Sequence, residues 1–155
     1  MRGVNRVQAA ILVVLALTVA SVGAPATQPV ATTEKAAVVP VTVPPRTSAP
    51  TYLDVWVSAF SPPQRGAVEA VVTLGAAGSG ETEIGRFTVF PGEPFATKKD
   101  EPGRAYRFNV TAALARLPAG DGPLLVRVQL LPIDPAISPA GAEMKIDRAE
   151  LRSGV

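Results

Sequence analysis

The chain contains neither cysteine nor histidine, and its aromatic residues amount to one Trp, two Tyr and five Phe. Without cysteine there is no disulfide, no thiol nucleophile, no thiolate metal site and no residue to carry a lipoprotein anchor. Without histidine the usual general base and the commonest transition-metal ligand are gone. A large excess of one charge is also missing. The net charge is +2, and it is unevenly placed. Residues 51–155 hold eleven Lys+Arg against twelve Asp+Glu, and residues 1–50 hold four against one. Two of those four are Arg2 and Arg6, at the extreme N-terminus. The body of the chain is near neutral, which removes the electrostatic basis for binding nucleic acid.

What is present divides the chain in three. Arg2 and Arg6 precede the apolar run "VQAAILVVLALTVA", and the small residues "SVGAPA" follow it. Charge, apolar core and small residues in that order describe a secretory signal peptide, cut after Gly23 or Ala26. The alternative is an uncleaved N-terminal anchor, because residues 7–26 nearly reach the ~20 residues that a bilayer requires. Residues 1–26 are therefore expected to be a signal peptide or an anchor. Either one exports the remainder to the cell envelope, the periplasm or the exterior, with membrane contact only through residues 7–26.

Residues 27–50 are rich in Pro, Thr and Ala. Pro29, Pro40, Pro44, Pro45 and Pro50 favour extended backbone and remove hydrogen-bond donors. This segment reads as a spacer, with a share of it, "AAVVPVTV", as a candidate first strand along a sheet edge.

From Thr51 the pattern is one of short strands separated by turn residues. Leu53, Val55, Val57 and Ala59 alternate with Asp54, Trp56, Ser58 and Phe60. Val68, Ala70, Val72 and Leu74 form a second run, ended by "GAAGSG". Ile84 to Phe90 forms a third, with Phe87 and Val89 inward and a stop at Pro91-Gly92. Tyr106, Phe108 and Val110 form a fourth, which passes straight into a helical stub. Thr111 is expected to cap the stub through its hydroxyl, Leu114 and Leu117 to be buried beneath it, and Pro118 with Gly120 to end it. Val126, Val128 and Leu130 make a fifth strand. Met144 and Ile146 begin a last one, whose apolar phase then moves to Ala149 and Leu151. A bulge or tight turn at Asp147-Arg148 accounts for that shift. Six or more short strands without crossover helices imply an all-β antiparallel sandwich over residues 51–155, closed at one end by the stub helix.

Motifs for chemistry are scarce. "GAAGSG" lacks the Gly-Lys-Ser/Thr ending and the following helix of a phosphate loop, so it reads as a hairpin loop. Glu81, Glu83 and Asp100 are the only carboxylates considered for calcium, and no loop motif supports them. No Gly-x-Ser-x-Gly is present. Asp54 and Glu69, considered as an acid–base pair, read as decoration of solvent faces. "KKDE" at residues 98–101 reads as a solvated loop, and Asn109-Val110-Thr111 is a glycosylation sequon by its letters. The expectation is a chain that is not an enzyme and takes no metal or cofactor.

A resemblance adds to this reading. Leu53-Asp54-Val55-Trp56, then Gly85, Phe87 and Val89, then Phe108, Val110, Thr111, Leu114 and Leu117, then Val128, Leu130 and Pro132 follow one another as in the C-terminal domain of tyrosinase-family polyphenol oxidases. The resemblance spans about residues 51–152. It implies a jelly-roll-like β-sandwich of six to eight strands with one short capping helix, of the kind that shields the entrance to a dicopper catalytic domain. The copper-binding histidines of the family belong to that catalytic domain, which has no counterpart here. The implied role is that of an accessory or lid-like partner of a separate copper oxidase core. The alternative is a stand-alone binding or structural module of the cell envelope. For docking, the loop "FPGEPF" presents Phe90, Pro91, Glu93 and Phe95, its prolines limiting the freedom that binding must freeze. The other reading folds both rings back over the core. Trp56, with Tyr52 and Phe60, makes either an outer stacking surface or a patch buried beneath the spacer.

Overall fold

The structure, a computed structural model, describes residues 27–45, 48–90, 92–117 and 122–154. The expectations for residues 1–26, Pro91, Pro118 and Gly120 lie outside them. Its plan is a set of nested antiparallel pairs. Innermost is the hairpin of β4 (Val68–Ala76) and β5 (Thr82–Phe87), which turns within "GAAGSG" where Gly78 takes φ 77°. Outside it β3 (Thr51–Ser61) pairs with β7 (Arg104–Asn109). Next β2 (Ala37–Val41) pairs with β8 (Leu124–Pro132), and outermost β1 (Val30–Thr32) pairs with β9 (Glu143–Ser153). A two-residue strand β6 (Phe95–Ala96) pairs with β3 beyond the reach of β7, so β6 and β7 are two parts of one interrupted edge.

Rolled up, the nested pairs give one sheet in the order β1-β9-β3, with β7 and β6 along the far side of β3, and a second in the order β2-β8-β4-β5. This is the winding of a jelly roll. The core lies between the sheets and is almost wholly aliphatic: Leu53, Val55, Val57, Val72, Leu74, Val126, Val128, Leu130, Met144 and Ile146 are fully enclosed. Strands with alternating small and branched apolar residues pack this way because every second side chain points to the same face.

The segment read as a spacer supplies two strands. "AAVVPVTV" does form an edge strand, β2, and Pro40 fits there because an edge strand tolerates a residue without a donor. Val30–Thr32 has too short an apolar pattern to mark a strand by itself, yet Ala31 is fully buried beside β9. The folded domain therefore starts well before residue 51.

Pairing between β3 and β9 slips twice. Trp56 faces Arg148 while the next residue, Val57, faces Ile146, so Asp147 is an extra residue on β9. Then Ala59 faces Lys145, so Ser58 is an extra residue on β3. The bulge expected at Asp147-Arg148 is present. Its counterpart at Ser58 reverses the phase of β3: Phe60 is buried in the core, and Ala59 turns outward. The expected inward Ala59 and outward Phe60 are thus corrected, since one inserted residue exchanges the faces of all that follow.

Two further expectations change. β5 stops at Phe87, so Val89 is buried from the loop beyond it rather than from the strand. The stub helix α1 (Thr111–Arg116) is not capped by Thr111. That hydroxyl instead accepts the Thr51 N–H at 2.9 Å, tying α1 to β3, while the Asn109 carboxamide oxygen accepts the Thr111 N–H at 3.1 Å. Leu114 and Leu117 pack against the core but stay half-exposed. The helix covers the end of the sandwich without being sunk into it.

An aromatic seam closes the side of the sandwich between β5 and β7. Phe87 stacks on Tyr106 with ring centroids 3.8 Å apart, and Phe108 lies 6.1 Å from Phe87. Phe108 rests on Gly85, where a β-carbon would come within 2.5 Å of the ring. Gly85→Ala should therefore destabilise the domain by about 1–3 kcal/mol through overpacking, and chemical denaturation of the two forms measures this directly. An unchanged midpoint would mean that the seam yields freely and does not hold the sheets together.

Candidate functional site

The chain crosses the two ends of the sandwich in a regular way. Turns 33–36, 62–67, 88–94 and 133–142 gather at one end, because β1, β3, β5 and β8 all run toward it. The stub helix and the β4–β5 hairpin occupy the other end. The first end is rich in proline, and it carries Phe90, Ile133 and Ile137, three of the four large apolar residues that are exposed among the described residues. The Ile133 N–H donates to the Ala67 carbonyl, and β4 lies between β8 and β5.

The loop "FPGEPF" splits the two readings of its rings. Phe90 is 87% exposed, while Arg104 reaches its carbonyl oxygen with Nη1 at 3.4 Å. Phe95 does the opposite. It pairs with Phe60 across β6 and β3, is half-buried against the core, and has the Arg104 guanidinium 3.9 Å from its ring centre. Arg104 therefore holds both ends of the loop, one through a carbonyl and one through a ring face. Glu93 is exposed and forms no ion pair among the described residues. Beside the loop lies a shallow open trough of about 400 Å³. Its floor is Ala59, Ser61 and Ala96, and Glu143 and Lys145 form one wall. These small floor residues face outward only because of the bulge at Ser58. Phe95→Ala should lower stability by about 1–3 kcal/mol, as expected for a half-buried ring, and a thermal melt of the variant checks it.

Trp56 belongs to a different place. It projects from the outer face of the first sheet but is only 8% exposed, because Arg148 and Arg152 lie over its ring at 4.3 and 5.3 Å. The cover is arginine and not the Pro-rich segment. No open aromatic stacking surface exists at this position. Tyr52, on the same face, has the Arg107 guanidinium 5.6 Å from its ring, and Phe60 is on the opposite face.

Next to Trp56 is a buried carboxylate. Asp54 is 2% exposed and takes two hydrogen bonds from Arg107, Nε to Oδ1 at 2.6 Å and Nη2 to Oδ2 at 2.7 Å. Arg107 stands directly opposite Asp54 on β7, and Arg152 of β9 lies 3.9 Å away on the other side. The bidentate bond from Arg107 lowers the Asp54 pKa below its ordinary 3.8, outweighing the upward push of burial. Such a group adds stability while it is ionised. Asp54→Asn should cost about 1–3 kcal/mol at neutral pH. The difference should fade as the pH drops below 3.8 and on through the lowered native value, because the wild-type carboxyl then protonates. Urea denaturation at pH 7 and pH 3 tests the sign: a gap that stays constant would show that the pair contributes by shape and not by charge.

The pairing considered between Asp54 and Glu69 is not made. Glu69 is on the second sheet and binds Arg86 at 2.6 Å. Nor do Glu81, Glu83 and Asp100 meet. Glu81 pairs with Arg127, Glu83 pairs with Arg86, and Asp100 takes φ 72° in the loop between β6 and β7. Among the described residues no three carboxylates are grouped to hold a metal ion, and no helix is long and apolar enough to cross a membrane. Arg104 is the residue that sequence reasoning missed: an exposed arginine between Gly103 and Ala105 gives no local sign that it fastens a distant loop. Comparison of the chain with protein-family models, curated proteins and solved structures finds no match.

Proposed function

We propose that this chain is an exported, non-catalytic binding module that docks on a protein partner through the end of the jelly roll carrying Phe90. The supporting observation is the isolated, almost fully exposed Phe90 ring on a proline-flanked loop fixed by Arg104. A large apolar ring standing in water costs solvation free energy, and a fixed loop loses little entropy on binding. Aromatic anchors of this kind supply most of the energy at interface hot spots. Ile133 and Ile137 widen the apolar surface at the same end. The proposed partner, following the resemblance to the shielding domain of polyphenol oxidases, is a histidine-rich copper oxidase core that lacks its own C-terminal sandwich. The docked domain would cover the mouth of such a core and limit access to it, and it would contribute no ligand to the copper.

The test is titration of the purified chain into such a core, with affinity and oxidase turnover followed together. Phe90→Ala should weaken binding by about 2 kcal/mol, roughly thirtyfold, and leave the melting temperature unchanged. Phe95→Ala should lower the melting temperature first. Binding that ignores Phe90→Ala, or no binding at all, rejects this reading.

A further inference from the structure

β9 has one edge that is only half used. Along its whole length it pairs with β3, but on its other side β1 covers Glu143 to Lys145, and the Pro29 carbonyl accepts the Ile146 N–H as the last bond. From Asp147 to Ser153 no strand of the described residues lies on that side. The bulge at Asp147 is where β1 leaves off. Among the described residues, a stretch of seven residues, about 23 Å of backbone, thus presents peptide groups without a strand partner on this side.

Edge strands are commonly protected by charge, and this one carries Arg148, Glu150 and Arg152 on its outer face. Their signs alternate, however, so the edge is complementary to its own reverse. Three antiparallel two-fold registers are available within the stretch. With the axis at Glu150, Glu150 would oppose itself and Arg148 would oppose Arg152 of the second copy, setting like charges together. With the axis at Ala149, Glu150 would oppose Arg148 of the second copy, but the paired span would include Asp147, the bulged residue whose carboxylate Gln28 holds, and Leu151 would face Asp147. With the axis at Leu151, Glu150 opposes Arg152 of the second copy, and Arg152 opposes Glu150. Leu151, half-exposed on the inner face, then meets its own symmetry mate. Of the two registers that oppose unlike charges, only this one stays clear of the bulge at Asp147 and sets Leu151 against an apolar side chain.

We infer that the chain forms a symmetric dimer in which the β9 edges of two copies pair antiparallel about Leu151, joining their first sheets into one continuous sheet. The two-fold uses the same patch on both copies, so the assembly closes and no open edge propagates. Within each copy Glu150 already binds Arg152 at 2.6 Å and Arg148 at 3.2 Å. In the dimer it gains a third arginine, from across the seam. This inference is independent of the docking end, which lies at the mouth of the sandwich and not on this edge.

Sedimentation velocity of the exported chain over a concentration series, with hydrogen exchange at low and high concentration, tests it. The expected result is a two-chain mass at high concentration and concentration-dependent protection of amides in residues 148–154. Glu150→Arg and Arg152→Glu should each raise the dissociation constant by about tenfold or more, because each breaks two symmetric pairs. The double reversal should bring it back. A single-chain mass at every concentration, which another strand lying on this edge would also produce, overturns the inference. So does a dimer that ignores the single reversals, or unchanged exchange in residues 148–154. Circular dichroism melts confirm folding of each variant, and the exchange readout on the unmodified chain stands if one of them fails to fold.

Discussion

The two extra residues between β3 and β9, Asp147 on one strand and Ser58 on the other, constrain much of the rest of this structure. β3 is the central strand of its sheet, hydrogen-bonded along both sides, so its phase decides what both faces present. Before the bulges it sends Leu53, Val55 and Val57 inward, and Asp54 and Trp56 outward. After them Phe60 turns inward, and Ala59 and Ser61 turn outward. That exchange fills the core near the loop end with an aromatic ring and leaves a floor of small residues on the outside. The Ser58 hydroxyl, freed from regular pairing, donates to the Gln28 carboxamide oxygen at 3.0 Å, and the Gln28 amide donates to Asp147 at 3.1 Å. One glutamine thereby fastens the start of the described chain across both bulges.

The outer face of this sheet is unusual in what it buries. A carboxylate and an indole are removed from water there, each by arginine. Guanidinium groups suit both tasks, since they offer a planar fork to a carboxylate and a weakly hydrated plane to a ring. The apolar stems of Arg148 and Arg152 also shield Trp56 while their heads remain in water with Glu150 and Asp147. Around Trp56 and Asp54 this face is thereby closed to solvent.

The loop end and the helix end differ for a reason of connectivity. In nested antiparallel pairing, successive strand connections, the β4–β5 hairpin included, alternate between the two ends. The connection from β7 to β8 carries the stub helix, with Leu114 and Leu117 resting on the core, and it closes one end. The crossings at the opposite end are proline-rich loops that bury Val89 and Ala142 but leave Phe90, Ile133 and Ile137 exposed. Arg104 resolves part of this by drawing Phe95 down and leaving Phe90 up.

Alternation of side chains along β4, β7, β8 and β9 was sufficient to identify those strands, because a half-buried strand must repeat every two residues whatever surrounds it. The phase jump at Asp147 was legible for the same reason, and the absence of histidine and cysteine bounded the chemistry at once. What the sequence could not determine depends on partners distant in the chain. Val30–Thr32 is a strand only because β9 offers it an edge. Ser58 is a bulge only because Asp147 lies opposite, and that tertiary pairing turned Phe60 inward against its local pattern. Trp56 is covered because β9 brings two arginines over it, Thr111 serves β3 instead of its own helix, and Phe90 and Phe95 part ways because Arg104 can reach both. Local periodicity is set by backbone geometry that every strand shares, whereas the fate of a particular ring or carboxylate is set by which side chains the rolled-up sheets bring within a few ångströms of it.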